Sequence, residues 1–474
     1  MNPDFLRAVR LHKRRTFLTQ ACRGVGAVAL GSLFKPTHAV AEDKWRGVVT
    51  KPHVPPKAKR VIFIVMAGGA SHLEMFDNKP ELLKQHGKPF PESISKGQPI
   101  AQLQGAKLTC FGPQWGFKKH GKSGQEMNEL FTHLPEVADD LCIVRSLHTE
   151  AINHDPAHTF MNTGSSVSGR PSMGSWLTYG LGAETDDLPG FVVLTSSRGG
   201  QMQPIASRQW ASGFLPGRFQ GVHLRGQGDP VLYLANPKGV GQDQQKDVID
   251  AVSQLNQIHN GVIDDPEVAT RISQYEMAFK MQTSVPALMD FKNEPAKILD
   301  SYGTKGTDGS FAANCLLARK LAEKGVRFIQ LYNRDWDHHG GVKDGIKGKI
   351  EEIDKPLAAL IKDLKRLGMF EDTLIVLTGE FGRTPMSQGG SGRDHHMKGF
   401  SVVLAGGGIK GGTSYGATDE FGYNAVENVF PVHDLHATML HLLGIDHERL
   451  TVRFQGRDYR LTDVHGHVVK EILA

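Results

Sequence analysis

The chain has 474 residues, 39% of them hydrophobic, which is enough to bury a full core and excludes a disordered or fibrous protein. Its formal net charge is +5, but residues 1–41 hold seven of the 55 Lys and Arg residues and only one of the 50 acidic residues. The remaining chain carries a net charge of −1, so neither a nucleic-acid partner nor an anionic membrane is predicted.

The N-terminus has the three parts of a twin-arginine export signal in the right order. Arg14-Arg15 come first, a modest apolar run covers residues 24–34, and Ala39-Val40-Ala41 has the small residues of a cleavage site. The apolar run is well short of the ~20 residues that cross a bilayer, as is every later segment. We predict a signal peptide over 1–41, the twin-arginine translocase as partner during export, a periplasmic or extracellular location and no membrane span in the mature chain.

After a predicted linker over 42–59, with Glu42 as the first mature residue, apolar runs that end at glycine or polar residues predict buried strands. These runs cover residues 61–66, 191–194, 328–332, 374–377 and 401–404. Helical patterns lie between them, at 311–324 and 350–367. This alternation predicts an α/β domain over 60–474: a doubly wound, mainly parallel sheet with helices on both faces. The runs at 61–66, 328–332 and 374–377 are expected to be neighbouring inner strands.

A helical insertion is predicted over residues 241–300, which are polar and helical in pattern. One stripe of this segment consists of Val248, Val252, Leu255 and Ile258. The insertion could form a lid over a site, but a stripe of this kind is more typical of packing against the sheet.

Ligands of an open α/β sheet bind outside the carboxyl ends of its strands, and the residues at these positions are unusually polar here. The residues predicted to bind a metal at this edge are Asp335, Asp337, His339, Glu380, Asp394, His395 and His396. Mixed imidazole and carboxylate donors suit a divalent transition metal, zinc or manganese foremost, whereas calcium prefers oxygen alone.

Two questions about this metal site stay open at the level of sequence. Asp335 and Asp337 are rival partners of His339. Adjacent side chains of an extended segment point in opposite directions, so each His-His pair, 338–339 and 395–396, should supply one ligand.

Several motifs together resemble the bacterial family catalogued as domain of unknown function 1501, over nearly the whole chain. They are Gly68 to Leu73 with Phe76-Asp77, Pro171 to Trp176, Trp336-Asp337-x-His339, Glu380 to Pro385, Asp394-His395, the twin-arginine leader and the Gly456-Arg457 ending. That family is similar to sulfatases, alkaline phosphatases and phosphodiesterases, whose two-metal site at the carboxyl edge of the sheet hydrolyses phosphate or sulfate esters.

The resemblance implies that Asp335 or Asp337, together with His339, matches the Asp and His ligands of one metal. It implies His395 or His396 as that metal's second His ligand. Glu380 stands where the superfamily places the Asp of an Asp-His pair.

Three positions depart from the superfamily pattern. Ala67 stands where a metal-binding Asp is usual, and Phe381 replaces the His of the Asp-His pair. Gly169 occupies the Cys position of the sulfatase Cys-x-Pro-Ser-Arg motif, so no formylglycine forms there. Ser172, or Thr163, is the candidate nucleophile if another group activates its hydroxyl, and an ordinary turn is the alternative interpretation.

The sequence therefore supports two functional hypotheses. The first is a metal-dependent hydrolase of phosphate or sulfate esters, acting on a small-molecule or polysaccharide substrate. The second is a non-catalytic exported binding protein that retains the fold with a degenerate metal site. The Asp and His residues favour the first hypothesis, whereas Ala67 and Phe381 favour the second.

Overall fold

A computed structural model describes residues 45–196, 200–201, 203–226, 230–231, 241, 244, 247, 251, 277–278, 280–282 and 284–474. The predicted signal peptide over 1–41 and the stripe formed by Val248, Val252, Leu255 and Ile258 lie outside these residues. At the end of the predicted insertion, Ala296–Tyr302 form an α-helix.

The described strands and α-helices are numbered separately in chain order. The strands are β1 Arg60–Met66, β2 Phe117–His120, β3 Gln125–Asn128, β4 Leu141–His148, β5 Phe191–Thr195, β6 Val222–Leu224, β7 Phe328–Asn333, β8 Thr373–Thr378, β9 Gly382–Gln388, β10 Gly392–His396, β11 Phe400–Ala405, β12 Thr413–Tyr415, β13 Ala417–Thr418, β14 Ala425–Glu427, β15 Phe430–Pro431, β16 Val452–Phe454 and β17 Arg457–Tyr459. The helices are α1 Pro80–Lys84, α2 Glu92–Ser95, α3 His154–Thr163, α4 Met173–Leu181, α5 Ala296–Tyr302, α6 Phe311–Glu323, α7 Val342–Arg366 and α8 Val432–Leu442.

A nine-stranded sheet forms the centre of the domain. Its order is β12-β4-β11-β8-β1-β7-β5-β6, and β15 also pairs with β4. β1 pairs in parallel with both β7 and β8, which confirms the three predicted inner strands as neighbours. The mainly parallel sheet is likewise confirmed.

β11 is the strand of this sheet that runs against the others, pairing antiparallel with both β8 and β4. The prediction that grouped residues 401–404 with the buried parallel strands was wrong in this respect. Between β8 and β11 the chain forms the β9–β10 hairpin, whereas a parallel return needs a longer crossover, usually helical. β11 therefore starts at the edge where β8 ends.

Helices cover both faces of the sheet, as predicted. Ile62 and Ile64 of β1 belong to a core that includes residues of α6 and α7. Phe63 and Val65 point to the other face, into a core with residues of α4 and α8. This alternation places apolar side chains on both sides of β1, as expected for a buried parallel strand.

The two predicted helices are present, with shifted ends. α6 begins where the Ser310 hydroxyl accepts a hydrogen bond from Ala313 N at 3.1 Å, a normal N-cap. α7 begins at Val342 instead of residue 350, since Val342 and Ile346 continue its buried stripe.

The described part of the predicted linker, residues 45–59, contains no helix or strand. It follows the surface of the domain through backbone hydrogen bonds such as His53 N to Gly444 O and Lys57 N to Leu442 O, both 2.8 Å. Among the described residues, no helix combines the length and the apolar character needed to cross a membrane.

Candidate metal centre

Polar side chains from four parts of the chain meet at the carboxyl edge of the sheet. Asp337 and His339 follow β7, and Glu380 follows β8. His395 precedes β11, whose antiparallel direction brings its start to this same edge. His154 is the first residue of α3, after β4 has reached the edge.

One carboxylate and three imidazoles form the centre of this cluster. His154, Asp337, His339 and His395 offer ligand atoms that all lie within 4.8 Å of one another. Nε2 of His339 lies 3.0 Å from Asp337 Oδ1, and Nε2 of His395 lies 3.3 Å from the same oxygen. Nε2 of His154 lies 3.2 Å from Oδ2, without the alignment of a hydrogen bond.

The second ring nitrogen, Nδ1, of each of these imidazoles contacts an oxygen outside the centre. The pairs are His154 Nδ1 and Glu380 Oε1 at 2.7 Å, His339 Nδ1 and Gln388 Oε1 at 2.6 Å, and His395 Nδ1 and Ile152 O at 2.9 Å. These oxygens accept hydrogen bonds, so Nδ1 is the protonated nitrogen of the neutral ring. The Nε2 lone pairs then point at the centre, as in histidine metal ligands held by an outer acceptor.

His339 and His395 face each other with their Nε2 atoms 2.9 Å apart. Two lone pairs at this distance repel unless a proton or a metal ion lies between them. A divalent ion coordinated by three imidazoles and Asp337 meets this requirement, and the donor set suits zinc, manganese or iron.

Glu380 is fully buried beside the centre. Its oxygens accept hydrogen bonds from Gly68 N at 3.0 and 3.2 Å. His158, one turn after His154 on α3, has Nε2 3.4 Å from Glu380 Oε1, and neither of its ring nitrogens has an aligned hydrogen bond. His154, His158 and Glu380 thus form a second group of possible ligands that shares His154 with the first.

A buried arginine also belongs to the centre. The guanidinium of Arg383 is 1% exposed, and its Nη2 lies 2.5 Å from Asp337 Oδ1. Its Nε donates to Gly69 O at 2.8 Å, and Nη2 also donates to Gly68 O. Burial lowers the pKa of Arg383, against the opposing charge of Asp337.

The carboxylates and burial shift the titration of these groups in different directions. Burial by itself would lower the pKa of His154, but Asp337 and Glu380 outweigh it and raise this pKa to about 9. Burial would raise the pKa of Glu380, yet His158 and His154 hold it at about 2. Burial also opposes ionisation of Asp337, but the three imidazoles and Arg383 keep its pKa far below the usual range. Both carboxylates are therefore ionised at neutral pH.

Two glycines after β1 allow the loops to approach this closely. A Cβ on Gly68, where φ is +123°, would lie 2.5 Å from Asp337 N. A Cβ on Gly69, where φ is +72°, would lie 2.3 Å from the ring of Phe381. These positions therefore require glycine for both backbone conformation and space.

The structure brings Asp337 and not Asp335 to His339. The Asp335 carboxylate points away and accepts hydrogen bonds from Gly200 N at 3.0 Å and Gln201 N at 2.8 Å. Asp335 also has a positive φ of 68°, which turns the chain between the two aspartates. Of the two predicted pairings, the geometry places Asp337 with His339.

Asp394 and His396 lie outside the group of ligand atoms. The Asp394 carboxylate accepts from Gln102 N at 2.6 Å and Leu103 N at 3.0 Å, and so holds a loop next to the centre. His396 points to the other side of β10 from His395, and its Nε2 lies 2.5 Å from Tyr423 O.

The two hydroxyl candidates lie outside both groups of possible ligands. Ser172 precedes α4, is buried, and has its Oγ 2.9 Å from Ser175 Oγ. Thr163 ends α3 and donates its hydroxyl to Thr159 O at 2.8 Å.

Sequence reasoning missed His154 and His158 as possible ligands. Their i, i+4 spacing places both on one face of a helix, which is a recognisable pattern for metal binding. This signal could have identified these two residues.

The fold and the site define an α/β protein with a His/Asp cluster at the carboxyl edge of its sheet. The chain belongs to the family described as "Protein of unknown function (DUF1501)", which it matches over residues 58–473. No curated protein matches the sequence.

Several solved structures are similar over most of the chain. The lipoteichoic acid synthase LtaP from Listeria monocytogenes has a TM-score of 0.36 at 9% identity, covering 83% of this chain and 74% of that protein. The phosphonate monoester hydrolase from Silicibacter pomeroyi has a TM-score of 0.34 at 12% identity, covering 81% of this chain and 73% of that protein. The C-terminal periplasmic domain of EcEptC from Escherichia coli, in complex with Zn, has a TM-score of 0.35 at 7% identity, covering 84% of this chain and 86% of that domain. At these scores the likenesses assign neither activity nor substrate.

Proposed function

We propose that this protein is a metal-dependent hydrolase of phosphate or sulfate esters. The metal would be held by Asp337, His154, His339 and His395, with zinc or manganese as the best candidates. One observation carries the proposal: three Nε2 atoms surround Asp337 while each Nδ1 contacts an outer acceptor.

Exposure indicates the side from which an ester would approach. The side chain of His339 is 28% exposed and that of Asp337 is 19% exposed, whereas that of His395 is 4% exposed. Gln102 lies on the open side, with its Nε2 3.4 Å from His339 Nε2. Its amide can donate a hydrogen bond to an ester oxygen there, because Asp394 holds the backbone of this loop in place.

The chemistry divides between the ion and the protein. A divalent ion would polarise the ester and activate a water molecule at neutral pH. Glu380 keeps the ring of His154 oriented by accepting a hydrogen bond from its Nδ1. Phe381 covers the inner side, with its ring centroid 5.0 Å from that of His154 and 4.6 Å from that of His395, and so excludes water from behind the ligands.

The test is a metal and activity assay on mature protein purified without chelators. We expect bound transition metal by mass spectrometry, and hydrolysis of at least one member of a panel of aryl phosphates, aryl sulfates and aryl phosphodiesters. Chelation should abolish the hydrolysis, and zinc or manganese should restore it. A protein that carries no metal and gains none on soaking would contradict the proposal.

The departures from the superfamily pattern favour a second candidate function, an exported binding protein without catalysis. Ala67 is buried and offers no ligand atom, and the ring of Phe381 packs against the centre where a further imidazole would stand. A protein that binds metal tightly but hydrolyses no member of the ester panel would support this alternative.

We also propose export by the twin-arginine translocase, supported by the three-part leader in residues 1–41. Replacement of Arg14 and Arg15 by Lys should trap the precursor in the cytoplasm, since lysine does not reproduce the paired guanidinium groups. N-terminal sequencing of the exported protein should begin at Glu42. Exported protein that retains residues 1–30 would rule out this cleavage.

A further inference from the structure

We infer that Arg383 supplies the second positive charge of the centre, so that the protein binds one divalent ion and uses a guanidinium in place of a second one. This inference rests on the proposed function, because it concerns the same site. It assigns to the site an anionic ester as substrate.

The surroundings of Arg383 are those of a bound cation. Its guanidinium faces the carbonyl oxygens of Gly68, Gly69 and Arg393 and the carboxylate of Asp337. All four acceptors are oxygens, the donor type that a hard metal ion would also use. The guanidinium therefore fills the space that these oxygens offer to a cation, and it cannot dissociate.

The second group of possible ligands is poorly suited to a second ion. It shares His154 with the first group, and His154 Nδ1 already lies 2.7 Å from Glu380 Oε1. Glu380 also accepts from Gly68 N. A second ion would have to displace these hydrogen bonds and share the imidazole of His154 with the first ion. Of the three residues in this group, His158 alone would be available to it without such competition.

The sum of the charges in the centre indicates how Arg383 would affect substrate binding. Asp337 and Glu380 are the two carboxylates of the centre, and both accept hydrogen bonds there, so together they would cancel the charge of one divalent ion. Arg383 leaves the centre with net positive charge. A buried positive charge in a partly water-excluded site attracts phosphate or sulfate strongly.

Arg383 acts as a positioning residue, because at 1% exposure it does not reach the substrate. Its contact with Asp337 Oδ1 leaves Oδ2 turned toward His154. A purely structural role would leave the affinity for anions unchanged once the protein is folded and metal-loaded, so anion affinity is the measurement that distinguishes the two roles.

The first test is the metal stoichiometry of the parent chain. Titration of dialysed protein with Co²⁺, followed by visible absorption and by metal analysis, should end at one ion per chain. Two ions per chain would overturn the inference and leave the proposed function standing. No bound ion would overturn the proposed function and the inference with it.

The second test compares Arg383→Met with Arg383→Lys in metal-loaded protein, using inorganic phosphate as the probe in calorimetric titrations. We expect Arg383→Met to keep the metal and lose at least tenfold in phosphate affinity, and Arg383→Lys to lose less because it keeps the charge. Arg366→Met, which removes an exposed charge at the end of α7, should change phosphate affinity less than twofold. Equal phosphate affinity in Arg383→Met and the parent would overturn the inference. If Arg383→Met does not fold, the metal stoichiometry of the parent chain tests the inference instead.

Discussion

Two sets of buried histidines in the described part of the chain differ in what they face. His72, His396 and His436 each place one ring nitrogen against a backbone carbonyl, and burial lowers their pKa values to about 3, 4 and 3. His154 is also largely buried, but Asp337 and Glu380 raise its pKa to about 9. Burial by itself produces a neutral histidine that serves packing. His154 is instead a candidate metal ligand, because two carboxylates face its ring.

The adjacent pair His395 and His396 tests this comparison most strongly. His395→Ala should lower metal affinity by roughly 100-fold or more, since it removes a ligand. His396→Ala should retain the metal but lose about 2 kcal/mol of stability, because it empties a buried site and leaves a carbonyl without its partner. Metal analysis and urea unfolding of both variants provide the measurements. Equal metal loss in the two variants would remove the distinction.

A smaller effect is expected from the carboxylate that orients His154. Glu380→Gln keeps the size of the side chain but removes its charge, and should weaken metal binding about 10- to 100-fold. Glu352→Gln is the matched control, because Glu352 is bonded to Asn333 near the same edge and contacts none of the proposed ligands. Competition with a chromogenic chelator measures both affinities. A loss of the same size in the control would show that the effect is not specific to Glu380.

The buried histidines that face backbone carbonyls should destabilise the protein at low pH. The pKa of His436 is about 3 in the folded state, below its ordinary value of 6.5, so its contribution to stability is complete above pH 6.5 and falls as the pH drops toward 3. Each pH unit in this window costs about 1.4 kcal/mol for one such group. The free energy of unfolding lost between pH 6.5 and 5 should be about 2 kcal/mol smaller in His436→Gln than in the parent protein. Urea unfolding at the two pH values measures this change, and an unchanged difference would mean that His436 does not titrate on unfolding.

The smallest effect is expected at Ser172, which belongs to neither set. Ser172→Ala loses one buried hydroxyl contact, with Ser175, and should cost about 1 kcal/mol of stability. Metal content and the rate of ester hydrolysis should stay at the parent level. A loss of hydrolysis with the metal retained would instead identify Ser172 as the nucleophile.

Several elements could be predicted from local patterns alone. The apolar runs of β1, β7 and β8 are stopped by glycine or polar residues, and their alternation with helices indicates a parallel sheet. β4 was missed, although its apolar run over residues 141–144 is buried and is as long as the predicted run over 374–377. Strand signals of this length remain ambiguous without the pairing partners.

The inner strands and the position of Asp337, His339 and Glu380 near one edge follow from the sequence, since residues after parallel strands share that edge. Which side chains converge depends on how the segments pack together. The antiparallel entry of β11 brings His395 in, and the positive φ of Asp335 turns that carboxylate away. The approach of α3 adds His154, and β9 adds Arg383. These choices depend on contacts between segments far apart in the chain, which periodicity within one segment cannot specify.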